Sequence, residues 1–238
     1  MCSGRVDMGF VLRAFSNGID GVFIGACHLG ECNYITHGNY HTLNMVLLFK
    51  KIMEHIGLNP ERLWMRFMSG AEANVFVESV NDFVKNVKAI GPLGTAEGID
   101  PEELKSRLAG VKKLLPYIKV LKNEKLATRL TNPDEYEAFF TKNEIDEMFR
   151  DVASYYIDPA KCQACMTCAR RCPVDAIISA KGQVHIIDQD KCIKCGTCFE
   201  ACPPRFGAVT KIVGQPVPPP LPEDQRAIVR KAKEKEVA

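Results

Sequence analysis

Cys162-Gln-Ala-Cys165-Met-Thr-Cys168-Ala-Arg-Arg-Cys172-Pro173 and Cys192-Ile-Lys-Cys195-Gly-Thr-Cys198-Phe-Glu-Ala-Cys202-Pro203 hold eight of the chain's eleven cysteines in two copies of one pattern. Thiolates at every third residue of a tight loop can hold three corners of an iron-sulfur cube. The fourth cysteine, which stands just before a proline, turns away and ligates the other cube. The spacing therefore assigns Cys162, Cys165, Cys168 and Cys202 to one 4Fe-4S cluster, and Cys192, Cys195, Cys198 and Cys172 to a second. Crossed ligation makes the two halves one folding unit.

Zinc and disulfides are the competing uses of these thiols. Structural zinc takes its ligands as two pairs per ion, which this run does not supply. No signal-peptide order opens the chain, so a reducing, cytoplasmic location is expected and disulfides are not. Around the cysteines, Ala176-Ile177-Ile178 and Val184-His185-Ile186-Ile187 read as strands flanking a turn at Lys181-Gly182. Ala208 to Ile212 reads as the matching strand of the second half. On these residues, the stretch from 155 to 213 resembles a bacterial two-cluster ferredoxin domain.

The other limits come from length and composition. A chain of 238 residues with 46% hydrophobic content can bury a real core in one or two domains. A formal net charge of +2 gives no reason to expect nucleic acid as a partner. The longest apolar run, Met45 to Phe49, is far too short for direct membrane insertion.

Residues 1 to 94 read as alternating helices and strands. Asp7 is expected to cap a helix with Phe10, Val11, Ala14 and Phe15 on one face, stopped by Asn17-Gly18. Gly21 to Ile24 reads as a short buried strand. A helix from about Asn39 to His55 carries Leu43, Val46, Leu47 and Met53 on its apolar side, and Gly57 ends it. Arg62 to Met68 returns as a strand, and Ser69 with Glu72 forms a capping box for a helix to about Ala89. Strand, helix, strand implies a parallel right-handed crossover, hence an α/β domain with only a partial parallel sheet. No strand leads into Met1-Cys2-Ser3-Gly4, so a missing upstream segment is expected.

Cys2-Ser3-Gly4-Arg5-Val6-Asp7, Gly25-x-Cys27-His28-x-Gly30-x-Cys32-x-Tyr34, Gly38-Asn39, Asn59-Pro60-Glu61-Arg62 and Ser69-Gly70-Ala71-Glu72 together resemble the delta, or iron-sulfur, subunit of methyl-viologen-reducing hydrogenases. The resemblance covers roughly residues 1 to 93. It implies a 2Fe-2S cluster and a role in passing electrons between hydrogenase, formate dehydrogenase or another electron-input subunit and a heterodisulfide reductase A-subunit-like flavoprotein. Members of that family usually carry a Cys-x-x-Cys pair upstream, which this sequence lacks. Cys2, Cys27 and Cys32 then supply three thiolates where such a cluster normally takes four. The fourth ligand would come from another chain, from a longer gene product, or from His28 as in Rieske ligation. Otherwise the cluster is lost, or Cys27 and Cys32 are simply buried thiols.

Residues 95 to 155 read as a helical connector. Asp100-Pro101-Glu102-Glu103, Asn132-Pro133-Asp134-Glu135 and Thr141 to Glu144 are start signals, Leu104, Leu108, Val111 and Leu115 form an apolar stripe, and Pro116 is expected to end or kink that helix. Residues 156 to 213 are the α+β ferredoxin-like two-cluster domain. Residues 214 to 238 read as a proline-rich extended arm, free or lying along a partner, followed by a charged helix from Glu223. No dinucleotide fingerprint or nucleophile constellation is present, and His28, His37, His41, His55 and His185 form no metal-ligand pattern. The expectation is an electron-transfer subunit without a catalytic site of its own. The alternative is a stand-alone ferredoxin with an appended interaction domain.

Overall fold

Asp7 begins the first helix as expected, its Oδ1 accepting the Gly9 N–H at 2.7 Å. In this computed structural model, which describes residues 2–34 and 38–228, that helix is α1, Met8–Ser16. Its buried stripe is Met8, Val11, Leu12 and Phe15, whereas Phe10, expected on that face, is exposed. The chain divides into two compact units, residues 1–149 and 150–238.

In the first unit, β1 (Val22–Ala26) and β2 (Leu63–Phe67) pair in parallel, with Val22 opposite Leu63 and Ala26 opposite Phe67. Between them in sequence runs α2, Gly38–His55, and Gly57 ends it with a φ of +83°. Helix α3 spans Ala73–Ile90. The expected capping box is only half formed. Glu72 accepts the Ser69 N–H at 2.6 Å, but Ser69-Gly70-Ala71 is a turn, and the helix starts after Glu72 with no side-chain cap.

Asp100 caps α4, Pro101–Leu121, which buries Leu104, Leu108, Val111, Leu115 and Ile118. Pro116 does not end it. Ile118 is fully buried, and Lys119 and Lys122 are tied to Asp7 and Glu144, so the last turn is held from outside the helix. Short helices α5 (Asn123–Ala127) and α6 (Tyr136–Phe139) precede α7, Lys142–Arg150, where Thr141 Oγ1 accepts the Glu144 N–H. These helices, expected as a connector, share one core with the first ninety residues: Met8, Leu12, Phe49, Leu63, Ile118 and Ile145 belong to a single cluster. Asn44, fully buried on α2, donates to the carbonyls of Lys125, Leu126 and Thr128 and binds the two parts together.

The second unit is built from two antiparallel pairs. β3 (Ser154–Ile157) pairs with β6 (Val209–Ile212), and β4 (Ile177–Ile178) with β5 (Ile186–Ile187). Each cysteine loop runs into a short helix, α8 (Thr167–Arg171) or α9 (Thr197–Ala201). Strand β3 has no counterpart in the sequence reading, which placed helical connector through residue 155.

Residues 214 to 222 form no helix or strand, as their prolines require. They do not stand free. Val217, Pro218, Pro220 and Leu221 close a cavity against Ile157, His185 and Ile187 of their own unit. Beyond them the chain becomes an edge partner: Val184 N–H donates to Arg226 O at 2.8 Å and Ile228 N–H to Gly182 O at 2.9 Å. Val184 is thereby drawn from the strand expected over residues 184–187 to the returning chain. Of the charged helix expected from Glu223 to Ala238, residues 223–225 form a 3-10 turn and 229–238 lie outside the described residues.

Candidate metal centres

Two cavities lie behind the cysteine loops. Cys162, Cys165, Cys168 and Cys202 line one, with His185, Phe206 and Val209. Cys172, Cys192, Cys195 and Cys198 line the other, with Tyr155, Val174 and Ile177. Each thus takes three cysteines from one motif and the fourth from the other. Their sizes match, about 290 and 320 Å³ of space between atoms, part of it open to solvent. The thiols surround these spaces; among the described residues no three potential ligands converge on a point as a single ion would need.

The backbone of the two loops repeats as well. Ala164 and Lys194 have φ of +49° and +58°, and Met166 and Gly196 have +63° and +82°. Three of these four lack the freedom of glycine, so the conformation is imposed by the loop. Alternation into the left-handed region is a backbone conformation that can gather N–H groups around an anionic guest. Sulfurs receive such donors: Lys194 N–H to Cys192 Sγ at 3.4 Å, and Ala176 N–H to Cys172 Sγ at 3.2 Å. Thr167 and Thr197 hydroxyls bond to Cys165 and Cys195 at 3.4 and 3.3 Å.

Burial pushes the Cys168 thiol up to about 11, helped by repulsion from Cys162, and the Cys198 thiol up to about 12, helped by Cys192 and Cys168. At neutral pH these sulfurs keep their protons until a cation replaces them. Cys168 acts on Cys198 although each lines a different cavity, and α8 packs on α9, so the two spaces are neighbours. Desolvation also lowers His185, which is buried and neutral beside Cys168.

A third thiol group forms where β1 ends. Cys2 and Cys32 sulfurs stand 3.5 Å apart, and Cys27 interacts with both. Burial and the neighbouring Cys32 raise Cys27. Burial opposes ionisation of Cys32 too, but the N–H groups of Tyr34 and Asn39 and the other two thiols outweigh it and lower Cys32. Asn39, fully buried, donates to the carbonyls of Cys27 and His28 at 2.7 and 2.8 Å and fixes the loop. His28 Nε2 lies 2.7 Å from Glu72 Oε2, engaged by a carboxylate. Gly38 is required here, because a Cβ on it would overlap Cys32 Sγ.

Sequence reasoning gave no role at a metal centre to Tyr155 or His185, although each stands seven residues before the first cysteine of a motif, and it singled out Gly38 and Asn39 only as part of the family resemblance.

The model of the methyl-viologen-reducing hydrogenase delta subunit matches residues 1–91, and that of the 4Fe-4S dicluster domain residues 147–206. The iron-sulfur D subunit of an F420-non-reducing hydrogenase from Methanopyrus kandleri is 39% identical over 92 residues, 39% of this chain and 69% of that protein. The chain belongs to the delta-subunit family of methyl-viologen-reducing hydrogenases. The corresponding D subunit of Archaeoglobus profundus is 41% identical over 91 residues, 38% of this chain and 66% of that one. The A subunit of a ferredoxin/F(420)H(2)-dependent CoB-CoM heterodisulfide reductase from Methanosarcina acetivorans is 42% identical over 95 residues, 40% of this chain but 12% of that protein. The match thus spans only part of each relative. The chain carries the delta-subunit domain together with a 4Fe-4S dicluster domain, a combination that implies electron transfer. No helix among the described residues is long and apolar enough to cross a membrane.

Proposed function

We propose that the chain is the electron-transfer iron-sulfur subunit of a cytoplasmic redox complex, relaying electrons between hydrogenase, formate dehydrogenase or a similar input enzyme and a heterodisulfide reductase A-subunit-like flavoprotein. The observation that carries this reading is the crossed lining of the two neighbouring cavities. Cys162, Cys165, Cys168 and Cys202 would hold one 4Fe-4S cluster, and Cys172, Cys192, Cys195 and Cys198 the other, each cluster accepting and releasing a single electron when bound. One thiolate per corner suits four sulfurs that surround a space, whereas zinc needs them at one point. The side chains around them do the remaining work. Tyr155, Ile177, Val209 and their neighbours would exclude water, and the Lys194 and Ala176 N–H groups would offset the negative charge of the sulfurs that they reach.

Support for the acceptor comes from the Methanosarcina relative, in which a stretch similar to 95 residues of this chain is part of a heterodisulfide reductase A subunit. Cys2, Cys27 and Cys32 would supply three of the four ligands of a 2Fe-2S centre. The return of the proline arm onto its own unit favours a second reading, a freely diffusing ferredoxin with an appended unit, because that arm no longer requires a partner.

The test uses anaerobically purified full chain. Iron and sulfide analysis with paramagnetic resonance of the reduced protein should give two 4Fe-4S clusters. Cys172→Ala should damage the cluster of the second motif and Cys202→Ala that of the first; two intact signals in Cys172→Ala would refute the assignment. Reduced chain should bleach the flavin of a heterodisulfide reductase A-subunit-like partner and co-purify with it, whereas transfer without association would favour the diffusing ferredoxin.

A further inference from the structure

The ligand motifs repeat at an offset of thirty residues, Cys162 to Cys192 and Cys172 to Cys202, and the segments leading into them repeat too. Tyr155-Tyr156-Ile157-Asp158 precedes the first, and His185-Ile186-Ile187-Asp188 the second. In both, the aspartate carbonyl accepts the N–H of the first cysteine at 3.0 Å. Tyr155 and His185 therefore hold the same place in the two halves. Each lies across the cavity centred on the other motif: Tyr155 lines that of Cys192, Cys195 and Cys198, and His185 that of Cys162, Cys165 and Cys168. At equivalent positions one cavity meets a phenol ring and the other an imidazole.

His185 is 1% exposed, with Nδ1 3.4 Å from Cys168 Sγ. Its Nε2 is buried and has no hydrogen-bond partner among the described residues. The ring also borders the cavity closed by Val217, Pro218, Pro220 and Leu221 of the arm.

We propose that His185 donates its Nδ1–H to Cys168 Sγ and sets the reduction potential of the cluster held by Cys162, Cys165, Cys168 and Cys202, with the proline arm holding the ring in place. This rests on reading that cavity as a 4Fe-4S site. A sulfur bound to iron has no proton to give, so the contact is a hydrogen bond only in the tautomer that protonates Nδ1. Nδ1 is also the ring nitrogen with a partner. A donor at a ligand sulfur stabilises negative charge there, and the reduced cluster carries one more negative charge than the oxidised one. The bond therefore favours reduction, as hydrogen bonds to cluster sulfurs are known to do. His185 keeps its proton throughout and accepts no electron; it is a positioning and tuning residue.

The unaltered full chain gives the first test. Labelled with [15N]histidine and reduced with dithionite, it should show nitrogen coupling to one of its two clusters by pulsed paramagnetic resonance, and His185→Asn should abolish that signal. Redox titration gives the second. His185→Leu should lower the reduction equilibrium constant of one cluster about tenfold, or about 59 mV for one electron, and leave the other unchanged. His185→Asn, which keeps an N–H donor, should recover part of the shift. Two assembled clusters without nitrogen coupling would overturn this inference alone, as would unchanged potentials in His185→Leu. A chain that binds no 4Fe-4S iron and sulfide would overturn the functional reading with it. Should His185→Leu fail to assemble, the coupling in the unaltered chain still decides.

Discussion

Arg62→Met should be the most damaging single substitution in the first unit that touches no thiol. Arg62 has no exposed side-chain surface, and Glu97 has 8%. All five guanidinium N–H groups are used: Nε and one Nη2 hydrogen on Glu97 at 2.6 and 3.0 Å, and the others on the carbonyls of Asp20, Gly91 and Pro92 at 2.8–3.1 Å. Removing one partner of a buried pair leaves an uncompensated charge, which costs about 3–5 kcal/mol. With a urea slope of about 2 kcal/mol per molar, the midpoint should fall by roughly 2 M. Trp64, the one tryptophan of the chain and two residues from Arg62, reports this unfolding by fluorescence. Arg62→Met with Glu97→Met should be more stable than Arg62→Met alone, because no charge is stranded. It should stay below the native chain, since three carbonyls and the N–H groups of Asn59 and Gly94 lose partners. Burial raises the Glu97 carboxyl, but the bonds from Arg62, Asn59 and Gly94 outweigh it and lower the carboxyl overall. The stability linked to it is therefore present above the unfolded value of about 4.3, and is lost as pH falls through the lower folded value. Arg62→Met should flatten that acid limb. An Arg62→Met chain within about 1 kcal/mol of native, or a double variant no better than the single, would refute the reasoning.

Gly38→Ala should push Cys32 away from Cys2 at a cost of about 1–3 kcal/mol, and raise alkylation of both thiols as mapped by mass spectrometry; unchanged reactivity would count against the close approach. Gly196→Ala should destabilise the second unit by about 1–2 kcal/mol, since it combines a φ of +82° with a Cβ 2.9 Å from Tyr155 Oη. Met166→Gly, at the equivalent position with a φ of +63°, should be neutral or mildly stabilising in the same anaerobic thermal unfolding. Truncation after Val213 removes the arm's apolar contacts and two backbone hydrogen bonds. It should cost about 1–3 kcal/mol and hasten bleaching of cluster absorbance in urea; bleaching at the native rate would return the arm to a loose tail.

The cysteine spacing divides the eight thiols into the same two sets of four that line the two cavities, because both follow from the short loop lengths between cysteines; that each set holds a cluster is the proposal. Local chemistry also settled the capping of α1 and α4 by Asp7 and Asp100 and the stop at Gly57, since each depends on a few adjacent residues. What sequence could not give depends on contacts distant along the chain. Pro116 reads as a helix end or kink, and Ile118 burial with the ties of Lys119 and Lys122 to Asp7 and Glu144 carries α4 past it. The prolines of residues 216–222 forbid regular structure but do not say where the extended chain lies; the open edge at residues 182–184 and the apolar surface around His185 decide that. Phe10 and Leu12 are both apolar, and the packing of α1 against α4 and α2 determines which is buried. His185 looks like any lone histidine until the strand pairing brings it onto Cys168. Periodicity and spacing fix what is local, whereas burial and the choice of partner belong to the packed chain.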